Sequence, residues 1–452
     1  MHIQPAESQS LFEHRAFALF WAARACSSLA VQAESVAIGW QVYTVARQGR
    51  NIEESAFLVG MVGLAQFVPM FILTLFAGAT ADRRDRRTIM LVCTGVEIVC
   101  VLALATVAMR PLPSLPPVFA VAAVFGASRA FLSPASGAIG PMLVPLEGLP
   151  RAISWNSLGD QAGAVIGPWI GGGLCAVSPM AAYCGAAVLY AGAAGALLCM
   201  RANTRPERQP GSHLEQIREG IAYVWSQRIV LGAISLDLFA VLLGGATALL
   251  PVFARDVLNA GAHGFGILRS GPAIGAAAMA FALKRWTLHR RAGHWMFAGV
   301  AAFGVSTLVF AVSKSLAVSV IALAALGAAD MISVYIRQSL VQILTPDAMR
   351  GRVSAMSSLF IGGSAELGGF ETGVAARLLG PVGAAIFGGV GSLVVTGAWS
   401  QMFPSLRKAD RLDGSVIPQG ATPTAAKPRV TFKARRAMLL FDAARDQAPS
   451  ED

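Results

Sequence analysis

The sequence predicts an all-α, polytopic membrane protein with twelve transmembrane helices in two six-helix bundles. Of the 452 residues, 55% are hydrophobic and only 13% are charged, and the mean hydropathy is +0.59. A soluble domain carries about a quarter charged residues, so this composition does not provide the surface of a soluble protein. Residues 56–79 are almost continuously apolar. This excludes a transmembrane β-barrel, in which apolar and polar positions alternate.

Twelve windows have the roughly 20 mainly apolar residues that a helix needs to cross a bilayer core of about 30 Å. We predict spans at 17–42, 56–79, 88–109, 116–138, 152–176, 179–200, 229–253, 264–283, 294–313, 316–338, 353–379 and 381–402.

The longest internal hydrophilic stretch divides these spans six and six. We therefore expect an N-terminal bundle (1–200), a cytoplasmic linker (201–228), a C-terminal bundle (229–403) and a mobile, polar cytoplasmic tail (404–452). Apolar residues at helical spacing in the linker predict an amphipathic helix on the membrane surface. These residues are Leu214, Ile217, Ile221, Val224 and Trp225.

The basic residues predict how the chain is oriented. There are 36 Lys and Arg against 25 Asp and Glu, a net charge of +11. Most basic residues outside the spans lie before the first span or in even-numbered connections, as in the cluster at 83–87. This is positive-inside charge rather than a nucleic-acid surface, and it predicts a protein of the cytoplasmic (inner) membrane with both termini in the cytoplasm. All six cysteines lie in apolar segments without metal-ligand spacing, so we expect neither disulfides nor a metal site.

The two halves of the chain resemble each other at a constant offset of about 201 residues. This series predicts a parallel duplication, the symmetry of a two-bundle transporter. The matched pairs are Gly126 and Gly327, Pro145 and Pro346, Arg151 and Arg352, Ser157 and Ser358, Gly167 and Gly368, and Gly172 and Gly373.

The connection between the second and third spans carries a motif. It reads GATADRRDRRTIM and resembles the loop motif G-x-L-a-D-R-x-G-R-k of the major facilitator superfamily, although Thr80 and Asp85 depart from the pattern. In that family the loop holds the cytoplasmic side shut by charge pairing between the two halves. The resemblance therefore implies a gating role for the matched residues Gly78, Asp82, Arg83 and Arg86.

A second motif lies in the fifth span, which reads GAVIGPWIGG. Its small residues predict a close-packed helix crossing, and this could be their whole purpose. The run also resembles the antiporter motif of superfamily exporters, which favours export over uptake, although Ser154 replaces the leading glycine. The matching residues are Gly163, Gly167, Pro168, Gly171 and Gly172.

The resemblance extends over about residues 12–405, and stretches at 34–46 and 345–356 are similar to the branch that contains the enterobactin exporter and macrolide-efflux-type proteins. It implies the major facilitator fold, with inverted 3+3 repeats inside each bundle. It also implies a transporter rather than an enzyme, without a cofactor.

Ionisable residues inside the spans are the candidate coupling residues, because a charge at mid-bilayer costs roughly 2.5 to 3.5 kcal/mol. Glu34 is the leading proton carrier, and Asp160 and Asp237 are further candidates. Arg129 and Asp330 occupy equivalent positions in the two halves. We expect Arg129 to face the central cavity as a fixed positive charge beside a carboxylate. The alternatives are buried ion pairs that serve only structure and, for Glu34, a hydrated position near the outer end.

The sequence is compatible with three functions. No G-x(4)-G-K-[S/T] motif is present, so ATP hydrolysis by this chain is not expected and an ion gradient remains as the energy source. The leading hypothesis is a monomeric secondary exporter of an amphipathic siderophore or drug in exchange for protons, with membrane lipids as its surroundings. The alternatives are an uncoupled facilitator of a lipid-like or polar metabolite and a non-transporting membrane sensor.

Overall fold

The computed structural model describes residues 14–110, 114–145, 148–202, 204–205, 213–285 and 291–408. These residues form helices and turns without a strand, which confirms the predicted all-α class. The predicted tail from residue 409 onward lies outside the described residues. The N-terminal half contains α1 (Arg15–Ala46), α2 (Ile52–Ala81), α3 (Arg86–Ala108), α4 (Pro116–Ile139), α5 (Leu149–Val177) and α6 (Pro179–Cys199).

The linker and the C-terminal half supply the remaining helices. These are α7 (His213–Ser226), α8 (Arg228–Leu243), α9 (Leu250–Val252), α10 (Gly261–Arg285), α11 (Ala292–Val312), α12 (Leu316–Leu344), α13 (Asp347–Met402) and α14 (Pro404–Arg407). Gly380 interrupts α13 with φ 76° and ψ 165°. This is a left-handed backbone conformation that suits glycine, and Pro381 follows it, so α13 consists of two helical segments, 347–379 and 381–402.

Helical segments underlie all twelve predicted spans. Among the described residues, ten regions are long and apolar enough to cross a membrane, and one of them, Phe360–Met402, extends across Gly380 and includes residues of both segments of α13. The helix α5 is 29 residues long but is not among the ten, since its first half carries Asn156 and Asp160. The count of twelve crossings therefore remains a prediction, whereas the polytopic helical architecture is observed.

Each bundle is closed by contacts between its own helices, and two helix pairs join the bundles. In the N-terminal bundle α1 packs against α5 and α6, and α4 packs against α2 and α3; in the C-terminal bundle α12 packs against α10 and α11, and α13 packs against α8 and α11. The bundles meet where α2 packs on α13 and where α5 packs on α10. The two junctions are equivalent under the sequence repeat, because α2 and α5 correspond to α10 and α13.

The bundles are in contact at one end of the molecule. We call the end at which α1 finishes and α2 begins the far end, and the opposite end the near end. One continuous apolar core at the far end contains residues of both bundles, such as Val42 of α1 and Phe265 of α10. Nearer the other end each bundle has its own apolar core, around Phe20 in the first and around Met296 in the second. The structure is therefore closed at the far end and opens toward the near end.

The linker contains a helix, α7, where the sequence predicts one. Val224 of α7 is buried against Val230 and Ile234 of α8, and the Tyr223 hydroxyl donates a hydrogen bond to the Leu344 carbonyl of α12 at 2.6 Å. Trp225 is 70% exposed. The last turns of α7 thus rest on the near end of the C-terminal bundle. Its position on the membrane surface stays a prediction.

Candidate functional site

Glu34 lies in the middle of α1 and is completely buried. Its Oε1 accepts a hydrogen bond from Nη2 of Arg129 at 3.2 Å, and its Oε2 accepts one from the Tyr190 hydroxyl at 2.7 Å. Three helices, α1, α4 and α6, therefore converge on one carboxylate. The alternative prediction, in which Glu34 is hydrated near the outer end of its span, does not fit a side chain that is completely buried.

Arg129 connects this carboxylate to a wider polar cluster. Its Nη1 donates to Oε1 of Gln66 on α2 at 2.8 Å, while its Nε is buried without an acceptor. The neighbouring Ser128 donates to Oε1 of Glu97 on α3 at 3.2 Å, and the Oε2 of Glu97 is buried and unpaired. The predicted pairing of Arg129 with a carboxylate is observed. Its partner is the leading proton-carrier candidate.

The C-terminal bundle brings two more charged residues toward this cluster. Arg269 of α10 donates from Nη2 to the hydroxyl of Ser35, the residue after Glu34, at 3.0 Å. Glu366 of α13 lies close enough to both Arg129 and Arg269 to interact with them electrostatically. The sequence marks Arg269 only as a charge inside a span and does not select it. Its proximity depends on how α10 packs against α1.

The second bundle contains its own buried ion pair. Nη2 of Arg337 on α12 lies 3.2 Å from Oδ2 of Asp237 on α8, and both side chains are almost fully buried. Asp330 and Ser333 of α12 line a small cavity together with Asp237, so both polar side chains lie beside this pair. Both bundles thus join their first and fourth helices through an acidic residue and an arginine, Glu34 with Arg129 and Asp237 with Arg337.

Asp160 is placed differently from the other candidates. It forms a two-point contact with Arg24 of α1, with Nε to Oδ1 at 3.1 Å and Nη2 to Oδ2 at 2.7 Å. The Arg24 side chain is 27% exposed and the Asp160 side chain is 44% exposed. This pair lies closer to the near end than Glu34 does. The structure therefore separates the five coupling candidates into three sites: Glu34 with Arg129, Asp237 with Asp330, and Asp160.

The glycines of the antiporter-like motif lie at helix crossings. Gly163 and Gly167 face Ser28 and Gln32 of α1, and a Cβ on Gly171 would lie 2.7 Å from the Ala33 carbonyl oxygen. Close packing, the simpler of the two interpretations, is therefore present for these residues. Whether the motif also governs direction stays a prediction.

Gly172 of the same run faces the other bundle. A Cβ on Gly172 would lie 2.7 Å from Cα of Gly266 on α10, and a Cβ on Gly373 would lie 2.9 Å from Cα of Gly60 on α2. Gly172 and Gly373 are a matched pair of the sequence repeat. The two glycine contacts therefore close equivalent junctions between the bundles.

The loop with the predicted gating residues lies at the near end and is tied to its own bundle. Nη1 of Arg86 donates to the Ala138 carbonyl of α4 at 3.3 Å, and Nε of Arg87 donates to the Leu197 carbonyl of α6 at 2.7 Å. Gly78 lies in the last turn of α2, which ends at Ala81, and Asp82 and Arg83 begin the connection. Charge pairing of this loop with the C-terminal bundle stays a prediction for a state closed at the near end.

Asp85, which replaces a motif glycine, has a structural explanation. It caps α3 by accepting hydrogen bonds from the backbone N–H and the hydroxyl of Thr88, and it also accepts one from the Thr204 hydroxyl in the linker. Partial burial raises the pKa of the Asp85 carboxyl, but these hydrogen bonds outweigh burial and hold its pKa below the usual value. The ionised carboxylate thus fixes the linker to the loop.

A polar contact at the far end was not predicted from the sequence. The Tyr43 hydroxyl of α1 donates to Asp256 in the turn of π-helix that ends at Val257, and Nη2 of Arg47 lies 3.4 Å from Oδ1 of the same carboxylate. Arg255 lies over the Tyr43 ring, with 6.0 Å between its Cζ and the ring centroid. The contacts of Tyr43 and Arg47 with Asp256 therefore join the two bundles at the far end, away from the polar cluster around Glu34.

The chain is similar to known proteins over most of its length. A family model described as transmembrane secretion effector matches residues 6–440. The Enterobactin exporter EntS of Shigella boydii serotype 4 is 26% identical over 386 residues, which cover 84% of this chain and 90% of the relative.

Solved structures of other transporters have a similar fold. The nucleoside transporter NupG is 15% identical, covers 86% of this chain and 99% of its own, and gives a TM-score of 0.62. A bacterial homologue of the iron transporter ferroportin in its inward-facing state is 18% identical, covers 87% and 100% of the two chains, and also gives a TM-score of 0.62. These structures confirm the fold.

Proposed function

Since the chain belongs to the transmembrane secretion effector family of the major facilitator superfamily, we propose that this integral membrane transporter exports an amphipathic small molecule in exchange for protons. It works by alternating access, as a monomer among the lipids of the cytoplasmic membrane. The near end faces the cytoplasm, as the basic residues predict, so the observed opening is the loading state.

The pairing of Glu34 with Arg129 is the observation that carries the proposal. A buried carboxylate that accepts hydrogen bonds from a guanidinium and a hydroxyl has two stable states, ionised and protonated, which differ in how strongly they hold Arg129. A proton on Glu34 removes the charge that Arg129 pairs with. Arrival and departure of the proton can therefore change the contacts among α1, α2 and α4.

The junctions between the bundles supply the second requirement, a reversible closure. The far-end junctions include glycine-on-glycine contacts and a polar group around Asp256. Small residues let helix backbones approach closely without interlocking side chains, so such a junction can open as a unit. The loop at 82–86 then serves as the corresponding closure at the near end.

The proposed substrate class is supported by the relatives. The relative from Shigella boydii is named an enterobactin exporter, and by analogy this chain exports a siderophore-like or drug-like compound.

A proton gradient is sufficient to drive this export. One elementary charge that crosses 100 mV releases about 2.3 kcal/mol. Since a tenfold concentration ratio costs about 1.36 kcal/mol, this energy supports a ratio of roughly fifty-fold. No nucleotide is needed for accumulation of this size.

Transport into inside-out vesicles tests the proposal. Vesicles that contain the full chain are given an imposed pH gradient and a panel of enterobactin and amphipathic drugs, and vesicles without the chain serve as the control. We expect accumulation of at least one compound, which an uncoupler abolishes. Accumulation of none of the panel compounds above the control would overturn the proposed function.

A further inference from the structure

Arg269 lies on the face of α10 that packs against the N-terminal bundle. Four residues before it, Phe265 stacks on Trp40 of α1 with 6.3 Å between the ring centroids. One residue after it, the Ser270 hydroxyl donates to the Val165 carbonyl of α5 at 2.7 Å. These contacts fix the turn of α10 that carries Arg269, so the guanidinium is held at the boundary between the two bundles.

The guanidinium of Arg269 has few hydrogen-bond and ion-pair partners among the described residues. A guanidinium has five N–H donors, and among the described residues Arg269 has one hydrogen-bond acceptor, the Ser35 hydroxyl at 3.0 Å. No carboxylate oxygen among the described residues lies within 4.0 Å of an Arg269 nitrogen, which is the distance limit for an ion pair. Arg129 and Arg337, by contrast, each have a carboxylate at 3.2 Å.

The Arg269 side chain is partly exposed. The Nε atoms of Arg129 and Arg337 are buried without an acceptor, whereas no nitrogen of Arg269 is both buried and unpaired. The Arg269 nitrogens that do not bond Ser35 therefore keep some exposure at the boundary between the bundles, where a ligand that enters from the near end can reach them.

The charges around Arg269 leave a place for an anion. Arg129 is within electrostatic range, but Glu34 already compensates its charge. Glu366 is the carboxylate in range of Arg269, and it sits at the α2 junction, where its Oε2 would lie 3.5 Å from a Cβ on Gly63. An incompletely compensated guanidinium inside a membrane protein is costly, so such residues have a task.

We propose that Arg269 binds an anionic group of the transported molecule, so that the substrate class is an amphipathic anion such as a carboxylate or phenolate. The inference rests on the proposed export function and specifies its ligand. Guanidinium binds such oxygens by charge-assisted hydrogen bonds, which are stronger than neutral ones. Glu366 competes with the ligand for Arg269, because both are anions within its reach.

A pair of dyes with one ring system and different charge tests this assignment. Fluorescein carries phenolate and carboxylate groups, whereas rhodamine 123 has amino groups in place of the hydroxyls and a methyl ester in place of the carboxylate, so it is a cation. Binding to the purified full chain in lipid nanodiscs is measured by fluorescence polarisation near neutral pH. We expect fluorescein to bind more tightly than rhodamine 123. Loss of one charged hydrogen bond should weaken fluorescein binding about 10-fold to 100-fold in Arg269→Gln, with little change for rhodamine 123.

Three further variants keep the test decisive. Arg269→Lys retains the charge and should lose less fluorescein affinity than Arg269→Gln, while Glu366→Gln removes the competing anion and should strengthen fluorescein binding. Arg377→Gln is the control, since Arg377 is an exposed arginine of α13 that lies over the Phe57 ring, with 5.1 Å from its Cζ to the ring centroid. It should bind both dyes as the wild type does.

Two outcomes would overturn the anion site. One is wild-type binding of fluorescein that is no tighter than that of rhodamine 123. The other is fluorescein binding that neither Arg269→Gln weakens nor Glu366→Gln strengthens. Either result can occur while inside-out vesicles still accumulate enterobactin or drugs under a pH gradient, so failure of this inference is distinguishable from failure of the proposed function.

Discussion

Gly172 of α5 and Gly266 of α10 lie so close that a single added carbon on Gly172 would come within 2.7 Å of the Gly266 Cα. The two residues belong to different bundles, and no side chain separates their backbones. The far-end closure therefore depends on the absence of a methyl group at this point. The next residue, Gly173, has nothing within 4 Å of the position of an added Cβ.

This contrast gives the first prediction. Gly172→Ala places a methyl group against backbone atoms of α10, and no side chain there can move aside. We therefore expect the closed junction to lose about 1 to 3 kcal/mol of stability. Gly173→Ala should be neutral or slightly stabilising, because alanine favours helix by about 1 kcal/mol. The apparent melting temperature of the purified protein measures both. Equal melting temperatures for the two variants would contradict the observed junction.

A second prediction concerns the far-end carboxylate Asp256. Asp256→Asn removes the charge that the Tyr43 hydroxyl and Arg47 contact, so the far end should open more often. Spin labels at the exposed far-end positions Gln48 and Lys314, in a variant without the native cysteines, report the distance between the bundles. We expect a new population at longer distance.

The matched control for this experiment is Glu53→Gln, which neutralises an acidic residue in the first turn of α2 at the same end. It should leave the distance distribution unchanged. If Asp256→Asn gives the same distribution as the wild type, the polar contact at Asp256 does not hold the far end shut.

The sequence predicts the fold well and the site only in part. Long apolar windows are sufficient to place the helices, since backbone groups inside a bilayer must be paired within a helix. The pairing of Arg129 with a carboxylate also follows from the cost of intramembrane charge. The positions of Arg269 and Asp256 do not follow, because they depend on which helix faces meet across the bundle boundary.

The third prediction separates buried from exposed ion pairs. Arg129→Gln leaves the fully buried Glu34 carboxylate without its cation and should destabilise the protein by about 3 to 5 kcal/mol. The double variant with Glu34→Gln should recover much of this loss. Arg24→Gln breaks the partly exposed pair with Asp160 and should cost about 0 to 1 kcal/mol.

Denaturation of purified protein in detergent gives the four free energies of a double-variant cycle. The expected coupling between Glu34 and Arg129 is at least 1 kcal/mol, in the range seen for contacting residues. Additive effects of the two substitutions would show that the contact does not determine stability.

The fourth prediction uses the pH dependence of the near-end loop. The pKa of Asp85 in the folded protein is below its unfolded value, so its stabilisation is present above the unfolded pKa of about 3.9. It is lost as the pH falls through the folded pKa. Asp85→Ala removes the α3 cap and should cost about 1 kcal/mol near neutral pH.

Melting curves at decreasing pH measure this effect. The difference between wild type and Asp85→Ala should shrink as the pH falls below about 3.9, and Asp85→Asn, which can still cap the helix, should lie between them. A difference that is constant down to acid pH would rule out an ionised Asp85 as the source. This residue also shows how a departure from a family motif becomes interpretable once the linker residue Thr204 is seen to contact it.

The proton-coupled role of Glu34 is the central claim, and proton movement on ligand addition tests it most directly. Enterobactin, or the panel drug that the vesicles accumulate, is added to weakly buffered purified protein, and the pH is followed with an indicator dye. The wild type should change its proton binding on ligand addition. Glu34→Gln should still bind the ligand but give no change in pH, while Asp160→Asn should respond as the wild type does. A Glu34→Gln protein that binds ligand with the full wild-type proton change would contradict the assignment.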